Sequence, residues 1–163
     1  VASNKNNILT DFFTTGTYDA RREFYKTNAP AMDILVSSNL ERLVWFMVNG
    51  DSEKVNKYME ELKETGVYKV DDETLARVQK EFKAGCLGEE DVLKVVHDCW
   101  NENKYLLDTH TAVGYGVYEE YVKNTGDTTK TILLSTASPY KFPESVYQAL
   151  TGEEVDVYTA IEK

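Results

Sequence analysis

The residues best suited to chemistry sit in two polar segments. In Leu133-Leu134-Ser135-Thr136-Ala137-Ser138-Pro139-Tyr140-Lys141-Phe142-Pro143, an apolar run ends in three hydroxyls, and two of the chain's three prolines fix the turn that follows. A hydroxyl both donates and accepts. Ser135, Thr136 and Ser138 can therefore meet a ring nitrogen, a phosphate or a backbone amide. They can equally cap the next helix or bond their own turn. Val1-Ala2-Ser3-Asn4-Lys5-Asn6-Asn7 has the same form: a β-compatible end, a polar cluster, then a helical pattern. Asn4 and Asn6 are ligand candidates there, although Asn at such a place also serves as a helix N-cap. In open α/β sheets, ligands sit beyond the carboxyl ends of the strands. Two polar strand ends in one chain suggest a shared rim. Cys86 and Cys99, with His97 and His110, form no zinc spacing, so no metal site is expected. Both cysteines read as reduced thiols of a cytoplasmic protein.

Length and composition set the frame for these groups. The chain has 163 residues, 42% hydrophobic and 28% charged, with a formal charge of -10. That suits one folded domain, not a disordered chain. No Lys/Arg cluster can track phosphates, which argues against nucleic acid as a partner. No apolar run approaches the ~20 residues that span a bilayer, which argues against a membrane partner.

Helical periodicity dominates the elements that must position the site. Helices are expected over 7–15, over 40–48 with Ser38 and Glu41 as a capping box, and over 52–65 behind Asp51. Further helices are expected over 72–83, from 89, from 109 and over 143–150. Val92, Val95, Val96 and Cys99 share one face of the helix from 89, which leaves His97 in solvent. Gly114 and Gly116 inside a helix cost about 1 kcal/mol each against Ala, which points to close packing there or to a weak first turn. Ile34-Leu35-Val36 and Thr131-Ile132-Leu133-Leu134 read as short buried strands. The expected fold class is α/β and helix-rich: part of a parallel sheet flanked by helices, with residues 51–101 as a helical insertion.

Four segments together resemble a known family: SNKNNILTDFFTTGTYD from Ser3, FYKTNAPAMDILVSSNLERL from Phe24, LLDTHTAVGYGVYEEY from Leu106 and ILLSTASPYKFPE from Ile132. In this order they resemble the C-terminal half of the bacterial and fungal threonine synthases. The likeness covers most of the chain. PAMDILVSSNLERL and LSTASPYKFPE are its most specific blocks, whereas residues 51–101 match in helical character more than in motif.

The resemblance implies a pyridoxal-phosphate enzyme of the tryptophan-synthase β-chain fold type. Such enzymes convert O-phospho-L-homoserine and water to L-threonine and phosphate. Residues 1–163 would be the C-terminal portion of the large cofactor-binding domain. In this fold type a hydroxyl faces the pyridine nitrogen. The matching position is Thr136, with Ser135 as the alternative. Asn4, Asn6 and Lys141 are the substrate-contact candidates. The Ser-Phe-Lys-Asp type motif that carries the aldimine lysine is absent, as is the Asn/Gly-rich phosphate loop. The chain is therefore expected to be an inactive fragment that lacks its catalytic lysine and holds no cofactor alone, and a half-sheet that exposes an edge and an apolar face would favour self-association. His110 aligns with the family's Asp-Pro-His-Thr-Ala segment, where a helix-entry role competes with a catalytic one. Two other readings stand beside this one: a non-catalytic binding or assembly module, and another pyridoxal-phosphate lyase.

Overall fold

The computed structural model describes all 163 residues, Val1 to Lys163. Eight helices and four very short strands follow one another as β1 (Ala2–Ser3), α1 (Ile8–Thr15), β2 (Thr17–Asp19), α2 (Leu40–Met47), α3 (Ser52–Thr65), β3 (Val67–Lys69), α4 (Asp72–Glu81), β4 (Gly85–Cys86), α5 (Glu89–Asn103), α6 (Thr109–Thr125), α7 (Pro143–Thr151) and α8 (Val157–Glu162). Single 3-10 turns lie at Pro30–Met32 and Pro139–Lys141. β1 pairs in parallel with β4, Ala2 opposite Gly85 and Ser3 opposite Cys86. β2 pairs antiparallel with β3, Tyr18 opposite Tyr68. The fold is thus helix-rich α/β with a small parallel element, as the sequence suggests. Residues 51–101 are mainly helical, but they also supply β3 and β4, which tie them back to the amino-terminal segment. No helix is long and apolar enough to cross a membrane.

Two apolar clusters hold the chain together. The first joins α1, β2, α2, α3, β3 and α4 around Ile8, Phe12, Tyr18, Val44, Val55, Tyr58, Tyr68 and Val78. Tyr58, Tyr68 and Tyr18 stack in sequence, with centroids 5.5 and 5.4 Å apart. The second joins α5, α6 and α7 around Val92, Val96, Cys99, Ala112, Val113, Val146 and Ala149. Caps explain several helix starts: the carboxylates of Asp51, Asp71, Asp108 and Asp156 each accept from an amide in the first turn that follows. At Gly116, α6 packs closely on Leu87 and on Val95 of α5. A Cβ there would lie 2.7 Å from Leu87 Cδ2 and 3.0 Å from Val95 Cγ2. The close-packing reading of the glycine pair therefore holds at Gly116.

Three local expectations are corrected. Thr131–Leu134 forms no strand, and Ile132 and Leu134 are 87% and 75% exposed. A strand needs a neighbour for its amides and carbonyls, and none of the four strands lies beside this segment. Ile34–Val36 forms no strand either. Its backbone is held instead by the Tyr18 hydroxyl, which donates to the Leu35 carbonyl at 3.0 Å and accepts from the Ser37 amide at 2.8 Å. The Ser38–Glu41 capping box does not form. α2 begins after Asn39, which makes no side-chain cap bond, and the Leu40 amide bonds the Ser37 carbonyl. The final helix, α8, was not expected: Val157, Ala160 and Ile161 have helical spacing behind the Asp156 cap, but six residues are too short for a sustained stripe.

Candidate functional site

Of the eight buried polar or charged residues, seven gather near the ends of β1 and α6: Ser3, Asn4, Asn6, Asp108, Thr109, His110 and Thr111. Buried polar groups need partners, and each asparagine has a full set. The Asn4 amide nitrogen reaches Thr27 Oγ1 at 2.8 Å, Asp33 Oδ1 at 2.7 Å and the Ala29 carbonyl at 3.2 Å, and its oxygen accepts from the Asn6 amide at 2.9 Å. Asn6 donates to the Tyr25 carbonyl and to Asp33 Oδ1, and accepts from the Tyr25 amide. Neither side chain caps α1, whose preceding residue is Asn7. Both instead fold the 25–33 loop onto the carboxyl end of β1. Asp33 is the hub of that loop, since its two oxygens also take the Thr27 amide and hydroxyl.

The loop then reaches α6. The Ala31 amide donates to His110 Nε2 at 3.0 Å. That bond makes Nε2 an acceptor, so the ring proton lies on Nδ1, where it faces Asp108 Oδ1 at 3.1 Å. Both ring nitrogens are committed, and the ring packs on Phe142 with centroids 4.4 Å apart. His110 thus joins the 25–33 loop to the start of α6. Asp108 caps α6 by accepting from the His110 and Thr111 amides, and the Thr111 hydroxyl donates to its other oxygen. Burial alone would push the Asp108 carboxyl up. The bonds from Thr111 and His110 outweigh it and hold the group below the usual carboxylate range.

Thr111 also receives the hydroxyl-bearing segment: its Oγ1 accepts from the Thr136 amide at 3.1 Å. The Thr136 and Ser135 side chains are exposed, and neither hydroxyl has a partner in the chain. Ser138 behaves differently, because its hydroxyl accepts from the Tyr140 amide and caps the Pro139–Lys141 turn. Lys141 is exposed beside Phe142, its ammonium 5.6 Å from the ring centre and without a carboxylate partner. The structure thus links the Asn4/Asn6 loop, His110, Thr136 and Lys141 through one bonded and stacked assembly. Within it the asparagine donors are spent internally, while the two hydroxyls and the lysine stay free.

Both cysteines are free, Cys86 exposed and Cys99 buried, and no cluster of potential metal ligands exists. A groove between α5 and α6, lined by Lys94, Cys99, Glu102, Tyr115 and Glu119, includes neither Thr136 nor Asn4. Asp33 and Thr27 carry no pattern that would have marked them. Asp108 does, since an Asp just before a helical pattern is a common N-cap.

The residues fit one side of a pyridine cofactor. Two unpartnered hydroxyls on a tethered backbone can face a ring nitrogen, which needs a single donor or acceptor. Residues 111–162 match the family model described as threonine synthase, C-terminal. The chain is 37% identical to threonine synthase of Saccharomyces cerevisiae over 93% of its own length and 32% of that protein's. It superposes on the crystal structure of the yeast enzyme with a TM-score of 0.86 at 32% identity, covering 99% of this chain and 36% of that one. On the PLP-bound threonine synthase from Brucella melitensis the TM-score is 0.84, also at 32% identity, covering 95% of this chain and 32% of that one. The chain spans about a third of the length of each.

Proposed function

From a chain that matches the C-terminal region of threonine synthases in both sequence and fold, we infer that these residues form the ring-nitrogen side of a pyridoxal-phosphate site. The reaction proposed for the complete protein is conversion of O-phospho-L-homoserine and water to L-threonine and phosphate. The bound cofactor would supply the electron sink for proton movements on the substrate carbons and for loss of phosphate. The observation that carries the reading is the free Thr136 hydroxyl on a backbone tied to the start of α6.

Thr136 is assigned to the pyridine nitrogen, with Ser135 as the neighbouring alternative. A hydroxyl there leaves the nitrogen neutral, whereas a buried carboxylate would hold it protonated. Asn4 and Asn6 act on the substrate side by fixing the 25–33 loop, because their own donors are occupied. Lys141 is assigned as a free cation near an anionic substrate. The lysine that binds the cofactor and the loop that holds its phosphate are assigned to sequence outside these residues. The chain by itself is then inactive.

The test is phosphate release from O-phosphohomoserine by the complete, cofactor-loaded protein. Release with stoichiometric threonine is expected. A loaded protein that releases no phosphate would overturn the assignment of the reaction and leave the match in fold untouched.

A further inference from the structure

Residues 128–137 run across the surface with one hydrogen bond to any other element, the bond from the Thr136 amide to Thr111 Oγ1. The apolar side chains of the run add little. Ile132 and Leu134 face solvent, and Leu133, itself partly exposed, lies 3.6 Å from where a Cβ on Gly114 of α6 would be. The acceptor of that single bond is itself held: Thr111 is 3% exposed, and its hydroxyl proton is committed to the Asp108 carboxylate. Asp108 is 1% exposed and is fixed in turn by the His110 and Thr111 amides and by the His110 ring. The His110 ring is fixed by the Ala31 amide.

The direction of the bonds matters. With its proton given to Asp108, Thr111 Oγ1 turns a lone pair outward to the Thr136 amide. Without the carboxylate the hydroxyl would be free to rotate and to present its proton there instead. Asp108 therefore keeps a Thr111 lone pair available to the Thr136 amide, the one bond that anchors the segment bearing Ser135 and Thr136.

We propose that Thr111, oriented by Asp108, is the positioning residue that fixes the Thr136 hydroxyl for the cofactor ring. The proposal rests on the reading of Thr136 as the hydroxyl facing the ring nitrogen. Neither Thr111 nor Asp108 touches the ring. They act through the Thr136 backbone, which a 1 Å displacement would take out of hydrogen-bond reach.

The experiment uses the complete protein with Thr111→Val, Thr111→Ser, Asp108→Asn and Thr136→Val. Two quantities are read: amide hydrogen exchange of the 133–138 peptide by mass spectrometry, and the dissociation constant of pyridoxal phosphate. Thr111→Val keeps the side-chain volume and removes the acceptor. It is expected to speed exchange in that peptide and to weaken cofactor binding roughly fivefold, the equivalent of one net hydrogen bond. Thr111→Ser keeps the acceptor and should restore both. Asp108→Asn keeps a capping oxygen and should give an intermediate loss, which decides the matter if Thr111→Val does not fold. Unchanged exchange in Thr111→Val and in Asp108→Asn would overturn the tether. Weakened binding in Thr136→Val with unchanged binding in Thr111→Val would overturn the positioning role alone. Unchanged binding in Thr136→Val would remove the underlying reading, and the positioning role with it.

Discussion

Two glycines two residues apart on α6, Gly114 and Gly116, should respond to the same substitution with opposite signs. In an exposed or roomy helix interior, Gly→Ala stabilises by about 0.4–1 kcal/mol, because the unfolded chain loses freedom. At Gly114 that gain stands. The new Cβ would meet only Leu133 Cδ1 at 3.6 Å, an ordinary contact. At Gly116 the Cβ would sit 2.7 Å from Leu87 Cδ2 and 3.0 Å from Val95 Cγ2. Carbon atoms pack at about 3.5–4.0 Å, so both neighbours must retreat together. Leu87 is 5% exposed and has little room to do so. Overpacking of this kind costs about 1–3 kcal/mol, which exceeds the gain. The expected net effects are about 0.5 kcal/mol of stabilisation for Gly114→Ala and about 1 kcal/mol of destabilisation for Gly116→Ala. At this chain length that separates the two melting temperatures by roughly 3–6 °C. Thermal unfolding followed by circular dichroism measures it. A Gly116→Ala protein as stable as Gly114→Ala would refute the packing of α6 on Leu87 and Val95.

Asp71 caps α4 and pairs with Lys54, and the Lys54 ammonium first, then the Thr74 amide, holds its carboxyl below the ordinary range. Its folded value lies below its unfolded one, so its stabilisation is complete above about pH 4 and is lost as the pH falls below that. Asp71→Ala should cost about 1 kcal/mol at neutral pH through the lost cap, with only a small part of that sensitive to salt, because the pair is partly exposed. Urea midpoints at pH 7 and pH 3 check this; an equal loss at both would contradict it. Tyr18→Phe removes the hydroxyl that holds Leu35 and Ser37, leaving both backbone groups short of a partner. A loss of about 1–2 kcal/mol is expected, with faster amide exchange at Ser37. Unchanged exchange there would mean that the 34–37 segment is held by something else.

The helices were legible because their apolar stripes and acidic caps are local signals. Asp51, Asp71 and Asp108 each stand where the pattern puts a start, and Val92, Val96 and Cys99 share the buried face of α5. The strands were legible only in part. Val1-Ala2 reads as a strand end, and Ala2 does pair with Gly85. Thr131–Leu134 has strand composition but no neighbour here, and a ladder is a property of two segments. The 25–33 loop was not legible at all as a ligand of Asn4. Its bonds span 23 to 29 residues of sequence and follow no period. The sequence therefore located the hydroxyls at Ser135 and Thr136 and the polar end at Asn4, whereas the link between them through Ala31, His110, Asp108 and Thr111 emerged only in three dimensions. It also overstated Ser38 and Glu41, whose spacing suits a cap that the turn at Ser37 pre-empts.

The central claim concerns where the pyridine nitrogen rests. A crystal structure of the complete protein with pyridoxal phosphate bound measures it directly. The account predicts the Thr136 hydroxyl, or that of Ser135 beside it, at hydrogen-bond distance from that nitrogen, about 2.7–3.2 Å. A ring nitrogen met by a carboxylate, or by any group outside the 135–136 pair, would contradict it.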